Sequence, residues 1–207
     1  MKFFNFLCIK FDIFIIYSSY SIIKDSYFSM EHDTYMVLDV ETGKWGAISE
    51  IIQLAYIIYD VNGQEIKSAN RYIKNRYVEK RAFDVHGISS KFLQTYGEEF
   101  GQIMKDFVTD LKICSVIVGH NVSSDIKHIK TNLKKYLNID IDIFANKKIH
   151  DTMKMGRNIC DVVDKNGRKK NPTLGELYKY MLAEPMINAH NALIDCECTA
   201  KCYFLLK

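Results

Sequence analysis

The stretch Tyr35-Met-Val-Leu-Asp39-Val-Glu41-Thr42-Gly43 constrains this chain more than any other. Its first four residues read as a buried strand, and residues i and i+2 of a strand share a face. Asp39 and Glu41 therefore leave the end of that strand side by side, with Val40 turned to the opposite face. Two neighbouring carboxylates repel, and each raises the other's proton affinity unless a cation lies between them. Hard divalent ions such as Mg²⁺ are bound by such oxygens. A fold that buries this strand must open at its end on a polar site. Other acidic i,i+2 pairs exist (Glu31/Asp33, Asp140/Asp142, Asp195/Glu197), so the pair takes its meaning from residues further along the chain.

The apolar periodicities predict an ordered succession of elements. After the short strand Met36–Asp39, the β-branched run Glu50–Tyr59 reads as a second strand, ending at the turn Asp60-Val-Asn62-Gly63. Glu65–Ile73 pairs back as the third strand of an antiparallel meander. Val85–Ser89 reads as loop, and Ser89 or Ser90 caps a helix from Lys91. Phe100, Ile103, Met104, Phe107 and Leu111 recur at helical spacing. Ser115–Val118 is another short buried strand. Ser123 or Ser124 caps a helix to Leu137, with Ile126, Ile129, Leu133 and Leu137 as its apolar stripe. Lys148–Asp151 reads as a strand and Asp161–Asn171 as a polar, basic loop. Pro172-Thr173 opens a helix to Leu182, and Asn191–Leu206 is the last helix. Strands first, then alternation with helices, predict an α/β fold with a mixed five-stranded sheet flanked by helices.

Three further residues fall where a metal site needs them. Asp125 lies in the first turn of the helix after the strand Ser115–Val118. Asp195 lies in the last helix, five residues after His190. Four carboxylates and a histidine can hold two Mg²⁺ ions roughly 3.5–4 Å apart, as in phosphoryl-transfer enzymes. A histidine can take a proton from water near neutral pH. Each acid alone reads as an ordinary strand-end or helix acid; their joint order and apolar context give them meaning.

The runs Leu38-Asp39-Val-Glu41-Thr42-Gly43, Gly119-His-Asn121-Val-Ser-Ser-Asp125 and His190-Asn-Ala-Leu-Ile-Asp195 resemble the motifs of the DEDDh (DnaQ-like) 3′–5′ exonucleases. Ile51-Ile-Gln53-Leu-Ala55, His86-Gly-Ile88, Ile149-His-Asp151-Thr152 and Thr173-Leu-Gly-Glu-Leu177 agree with the family in order, so the resemblance runs from about residue 35 to the C-terminus. It implies a ribonuclease H-like fold, an antiparallel meander followed by parallel strands. It implies that Asp39, Glu41, Asp125 and Asp195 ligate two Mg²⁺ or Mn²⁺ ions, with His190 as general base. The implied reaction is hydrolysis of the terminal phosphodiester at a DNA or RNA 3′ end, releasing nucleoside 5′-monophosphates. A polymerase or a second copy of the chain is the implied partner. The chain departs from the family at Ser124, often an aromatic residue, and in having one threonine, Thr42, before Gly43. Thr42, Gly43, Trp45 and Asn121 lie close enough to the motifs to contact substrate. Lys127, Lys130, Lys134, Lys135 and the run Gly167–Lys170 offer cations to phosphates or merely a solvated surface. Tyr56 reads as core, and His86, His120 and His128 as structural or surface residues. The competing reading is a nucleic-acid-binding or polymerase-accessory module whose nuclease activity has lapsed.

Composition bounds the rest. With 207 residues and 26% charged residues, the chain fits one globular domain, and a net charge of +3 permits a nucleic-acid partner without demanding one. Six scattered cysteines without paired CxxC units read as reduced thiols, not as a disulfide framework or zinc site. Residues 1–29, ahead of a second candidate start at Met30, read as an extension outside an exonuclease domain of residues 30–207. The uncharged run Ile13–Ile23 is far shorter than the roughly 20 residues that span a bilayer. The expectation is an intracellular protein, of cytoplasm or nucleus, with targeting by the extension left open.

Overall fold

A computed structural model describes residues 12, 13, 15, 33–44, 46, 49–75 and 77–207. Its elements are β1 (Tyr35–Thr42), β2 (Ile51–Tyr59), β3 (Glu65–Tyr72), α1 (Lys80–His86), α2 (Ser90–Tyr96), α3 (Phe100–Lys112), β4 (Val116–Gly119), α4 (Val122–Leu137), β5 (Lys148–Asp151), α5 (Thr152–Gly156), α6 (Leu174–Leu182) and α7 (Ala192–Leu206). The strands form one sheet in the order β3-β2-β1-β4-β5. β1 pairs antiparallel with β2, and β2 with β3; β1 and β4, and β4 and β5, are parallel. This is the ribonuclease H-like arrangement expected, a meander followed by parallel strands.

Strand alternation divides the core. Met36, Leu38 and Val40 join the cluster built by Ile103, Phe107 and Leu111 of α3 and Ile129 and Leu133 of α4. Tyr35 and Val37, on the other face, pack with Ala55 and Ile57 of β2 and with Ala192, Cys196, Ala200 and Tyr203 of α7. Asp39 and Glu41 continue the α7 face, as period-2 alternation requires. The β1–β4 pairing ends at Val37↔Val118, so both acids project past it, beside the turn that leaves β4. Tyr56 is core, as expected: its hydroxyl donates to Asp110 over 2.6 Å, and Lys67 pairs with the same carboxylate at 2.7 Å.

Several boundaries differ from those the sequence predicts. Val85 and His86 form the last turn of α1, not a loop, and the helix stops at Gly87, whose φ of 72° suits glycine. α4 begins at Val122 with Asn121 at its cap, in place of Ser123 or Ser124. Asn121 adopts the left-handed region (φ 68°), and its N–H is held by Asp151 of β5 over 2.9 Å. Asparagine tolerates that conformation better than most residues. The turn is tight: a Cβ on Gly119 would come within 2.8 Å of the Val122 side chain and 3.1 Å of the Leu38 carbonyl. Ser89 does cap α2, accepting from the Phe92 N–H. At α6 Thr173 is the cap itself, in a reciprocal capping box with Glu176, and Pro172 stands outside the helix.

Part of the extension packs on the domain. Ile13 is buried in the cluster with α3, and Asp12 pairs with Lys105 at 2.8 Å. The expectation that residues 1–29 lie outside the fold does not hold at these two positions; most of that stretch, and Met30, lie outside the described residues. The five described cysteines are all buried and free. No helix among the described residues is long and apolar enough to cross a membrane.

Candidate nuclease active site

Four segments converge at the carboxyl end of the parallel strands, where open α/β sheets place their ligands. Asp39 and Glu41 come from β1, Asp125 from the first turn of α4, and Asp195 from the first turn of α7. His190 lies just ahead of α7, with its backbone in the left-handed region (φ 68°). Its N–H donates to Asp195 Oδ2 over 3.2 Å. Glu41, His190 and Asp195 each offer a ligand atom within 4.8 Å of the others.

The electrostatics are those of a crowded carboxylate cluster, in which Asp125 is buried and Asp39, Glu41 and Asp195 are partly so. Burial holds Asp39 well above the usual carboxylate range, and the charges of Asp125, Glu41 and Asp195 add to it. Burial, then Asp195 and Asp125, pushes Glu41 up to about 8. Asp125 also rises to about 8, mainly through burial and against its own backbone N–H, with Asp151 and Asp195 contributing. Asp195 reaches about 6, because burial outweighs the charge and backbone N–H of His190. Asp125 Oδ2 and Asp195 Oδ1 are buried without a hydrogen-bond partner among the described residues. Orphaned acceptors are costly, and oxygen-rich clusters with orphaned acceptors suit hard divalent cations. The residues present therefore fit a bound Mg²⁺ or Mn²⁺.

Of the residues expected to touch substrate, Thr42 turns its hydroxyl to the Lys44 carbonyl over 3.0 Å. Gly43 is fixed by its N–H to the Glu50 carbonyl and by its carbonyl to the Glu79 N–H. Asn121 is at the rim with an exposed side chain, while Trp45 lies outside the described residues. His120 bridges Thr152 Oγ1 and the Pro172 carbonyl, each at 3.0 Å, a structural role as expected. His86 lies closer to the site than expected: burial lowers its pKa and the charge of His190 pushes the same way. The basic residues of α4 do not form an open track. Lys130, Lys134 and Lys135 pair with Asp142, Asp140 and Glu50, each at 2.6 Å, and Lys170 pairs with Glu176 at 2.7 Å.

Two residues of the site carried no role in the sequence reading. Gln53, fully buried and opposite Glu41 across β1–β2, hydrogen-bonds Asn70 at 2.8 Å. It also meets Asn191 and the Ala192 N–H, each at 3.4 Å, and so ties β2 to the segment carrying His190. A lone amide inside the apolar run Ile51–Tyr59 was its signal, since buried polar groups need partners. Asp151 ends β5, accepts the N–H groups of Asn121 and Met153 on Oδ1, and leaves Oδ2 buried without a hydrogen bond among the described residues, 3.7 Å from the Lys154 ammonium. Its signal was an acid closing a strand at the same sheet end as Asp39.

The fold and the clustered acids define a nuclease-type α/β scaffold. The family model for the RNase_T exonucleases matches residues 36–203. The chain is 30% identical over 182 residues to the DNA polymerase III subunit epsilon of Buchnera aphidicola subsp. Schizaphis graminum (strain Sg), covering 83% of this chain and 73% of that protein. It is also 30% identical over 184 residues to the PolC-type DNA polymerase III of Bacillus subtilis (strain 168), covering 86% of this chain but 12% of that one. Among solved structures, E. coli exonuclease I in complex with a dT13 oligonucleotide superposes with a TM-score of 0.70 at 19% identity, over 84% of this chain and 41% of that one. Exonuclease I from Methylocaldum szegediense gives a TM-score of 0.70 at 18% identity, with 84% and 40% covered. The chain thus spans under half of these structural neighbours and a small part of the PolC-type relative. It belongs to the DnaQ-like, RNase_T family of exonucleases.

Proposed function

We propose that this chain is a metal-dependent 3′–5′ exonuclease that hydrolyses the terminal phosphodiester of DNA or RNA and releases nucleoside 5′-monophosphates. The observation that carries the proposal is the convergence of Asp39, Glu41, Asp125 and Asp195 at one sheet end, with orphaned carboxylate oxygens and His190 beside them. These four acids would hold two Mg²⁺ or Mn²⁺ ions. When bound, such ions supply Lewis-acid stabilisation of the attacking and leaving oxygens.

The chain's own residues do the rest. The exposed imidazole of His190 is free to take the proton of the attacking water and is oriented by its backbone bond to Asp195. Gln53 and Asn191 keep the segment before α7 against β2, which limits how far the imidazole wanders. The polymerase III relatives make a polymerase the favoured partner of the domain. The lapsed-nuclease alternative is weaker, because a lapsed site has no physical need to keep four mutually repelling acids together.

The test is a 3′-labelled single strand incubated with Mg²⁺ or with EDTA, beside Asp39→Ala. Metal-dependent release of labelled mononucleotide that disappears in the variant is the expected result. Tight binding of the strand without cleavage in either Mg²⁺ or Mn²⁺ would remove the enzyme reading.

A further inference from the structure

Asp125, His128, Asn132 and Lys135 recur at helical spacing and so share one face of α4. The first three are buried. That face runs along residues 49–51, where the chain enters β2. The Asn132 amide accepts the Ile51 N–H on Oδ1 over 3.2 Å and donates to the carbonyls of Ser49, at 2.8 Å, and His128, at 2.9 Å. His128 reaches the Ser49 backbone as well, and Lys135 pairs with Glu50 at 2.6 Å. We propose that Asn132 is a positioning residue of the metal site: by holding the backbone of residues 49–51, it fixes Glu41 at the end of β1 against Asp125 on α4. The inference rests on the proposed metal-dependent nuclease and assigns a role to a side chain about two helical turns from Asp125.

Three observations carry it. First, the sheet leaves this spacing open. β1 pairs with β4 from Tyr35 to Val37, whereas Asp39 to Thr42 pair with β2 alone among the described residues. Asp125 is placed from the other side, because Asp151 of β5 holds the start of α4 through the Asn121 N–H. Asn132 ties the same helix to β2. Secondly, the bonds lead straight to Glu41. Ile51 pairs with Thr42, and the Gly43 N–H donates to the Glu50 carbonyl over 2.9 Å. Residues 49–51 thus have α4 on one side and the end of β1 on the other. The β1–β2 register slips between Glu41 and Thr42, with Ile52 as the extra residue. Such a bulge re-aims nearby side chains and leaves backbone groups unpaired; Asn132 takes up the Ile51 N–H at that point. Thirdly, the chemistry is particular to this side chain. Asn132 is 1% exposed, and its surroundings call for one acceptor and two donors at once. A primary amide supplies both, whereas an aspartate of the same shape offers no donor.

Calorimetric titration of the whole chain with Mg²⁺ and, separately, with Ca²⁺ tests the role without substrate. Asn132→Leu keeps the volume and removes all three bonds. Asn132→Ser retains at most a bond back to its own helix. Both should weaken Mg²⁺ binding about tenfold, the low end for outer partners of metal ligands. Ca²⁺ accepts irregular cages, so its affinity should stay within about twofold of the unaltered protein's. Phe107→Ala, which empties a fully buried position on α3 and leaves the bonds of residues 49–51 in place, should bind Mg²⁺ as the unaltered protein does. Cooperative thermal melts identify which Asn132 variants are folded, and one folded variant suffices. Unchanged Mg²⁺ affinity in the Asn132 variants would overturn the inference. So would an equal loss of Mg²⁺ and Ca²⁺ affinity, or an equal loss in Phe107→Ala, because either marks a general loosening of the fold. An unaltered protein that binds neither ion would refute the metal-site reading itself, and the inference with it.

Discussion

Asp125→Asn isolates the cost of burying carboxylates without a cation, and its effect changes sign with pH and metal. The amide has the same shape, can still accept from a backbone N–H and carries no charge. In the metal-free protein burial raises Asp125 from 3.8 to about 8, helped by Asp151 and Asp195. Below pH 4 the carboxyl is protonated in the folded and the unfolded chain, and burial of its charge costs nothing. Between about 4 and 8 the unfolded chain releases the proton while the folded chain keeps it, so stability falls as pH rises. Above about 8 the penalty is constant. At about 1.4 kcal/mol per tenfold change in proton affinity, the ceiling at pH 8 is about 5 kcal/mol. Protonating one of four mutually repelling acids relieves the others, so about 2 kcal/mol is the expected gain from a single neutral replacement. For a chain of this size, that corresponds to a melting temperature higher by about 4–8 °C. Thermal melts in EDTA at pH 8 and at pH 4 measure it: the variant should melt higher than the unaltered protein at pH 8 and level with it at pH 4. Saturating Mg²⁺ should reverse the order at pH 8, because ligand binding stabilises by about 2.7 kcal/mol at a hundred times Kd and the variant has lost a ligand. A variant that in EDTA melts no higher than the original at pH 8, or gains equally at pH 4, would refute the reasoning.

Two other outcomes rest on particular contacts. His190→Ala should lower kcat about 100-fold, the typical scale of a positioned general base, while the Mg²⁺-induced rise in melting temperature is largely retained; loss of that rise would make His190 a ligand instead of a base. Phe107→Ala removes a fully buried ring that packs edge-on against Tyr56 with centroids 5.5 Å apart, and should cost about 3–5 kcal/mol by urea unfolding with no change in metal affinity.

The sheet was readable because β1, β2 and β4 are apolar runs separated by turn signals, and because hydrophobic burial enforces the alternation along β1. That alternation put Asp39 and Glu41 on one face and Val40 on the other, which the two core clusters bear out. Helix starts were less readable. Serine is a good cap by local chemistry, yet α4 starts at Val122 with Asn121 as its cap, and Asp151 on a neighbouring strand satisfies the Asn121 N–H. A partner 30 residues away leaves no local trace. The lysines of α4 behave alike: their sequence spacing gives a basic face, and carboxylates from Glu50, Asp140 and Asp142 neutralise it in the fold.

By itself the sequence determined the order of the strands and of every helix but α1 and α5, the face that Asp39 and Glu41 share, and the motifs that mark the family. These depend on backbone periodicity and on residues near one another in the chain. Only the tertiary structure decided what surrounds the acids. It brought Gln53 under the His190 segment and set Asp151 behind Asp125. It also removed enough water from the acids, and crowded them enough, to raise Glu41 and Asp125 to about 8. The physical reason is that desolvation and Coulomb repulsion depend on distance through space and on excluded water. Neither exists until β1, β4, β5, α4 and α7 have packed together.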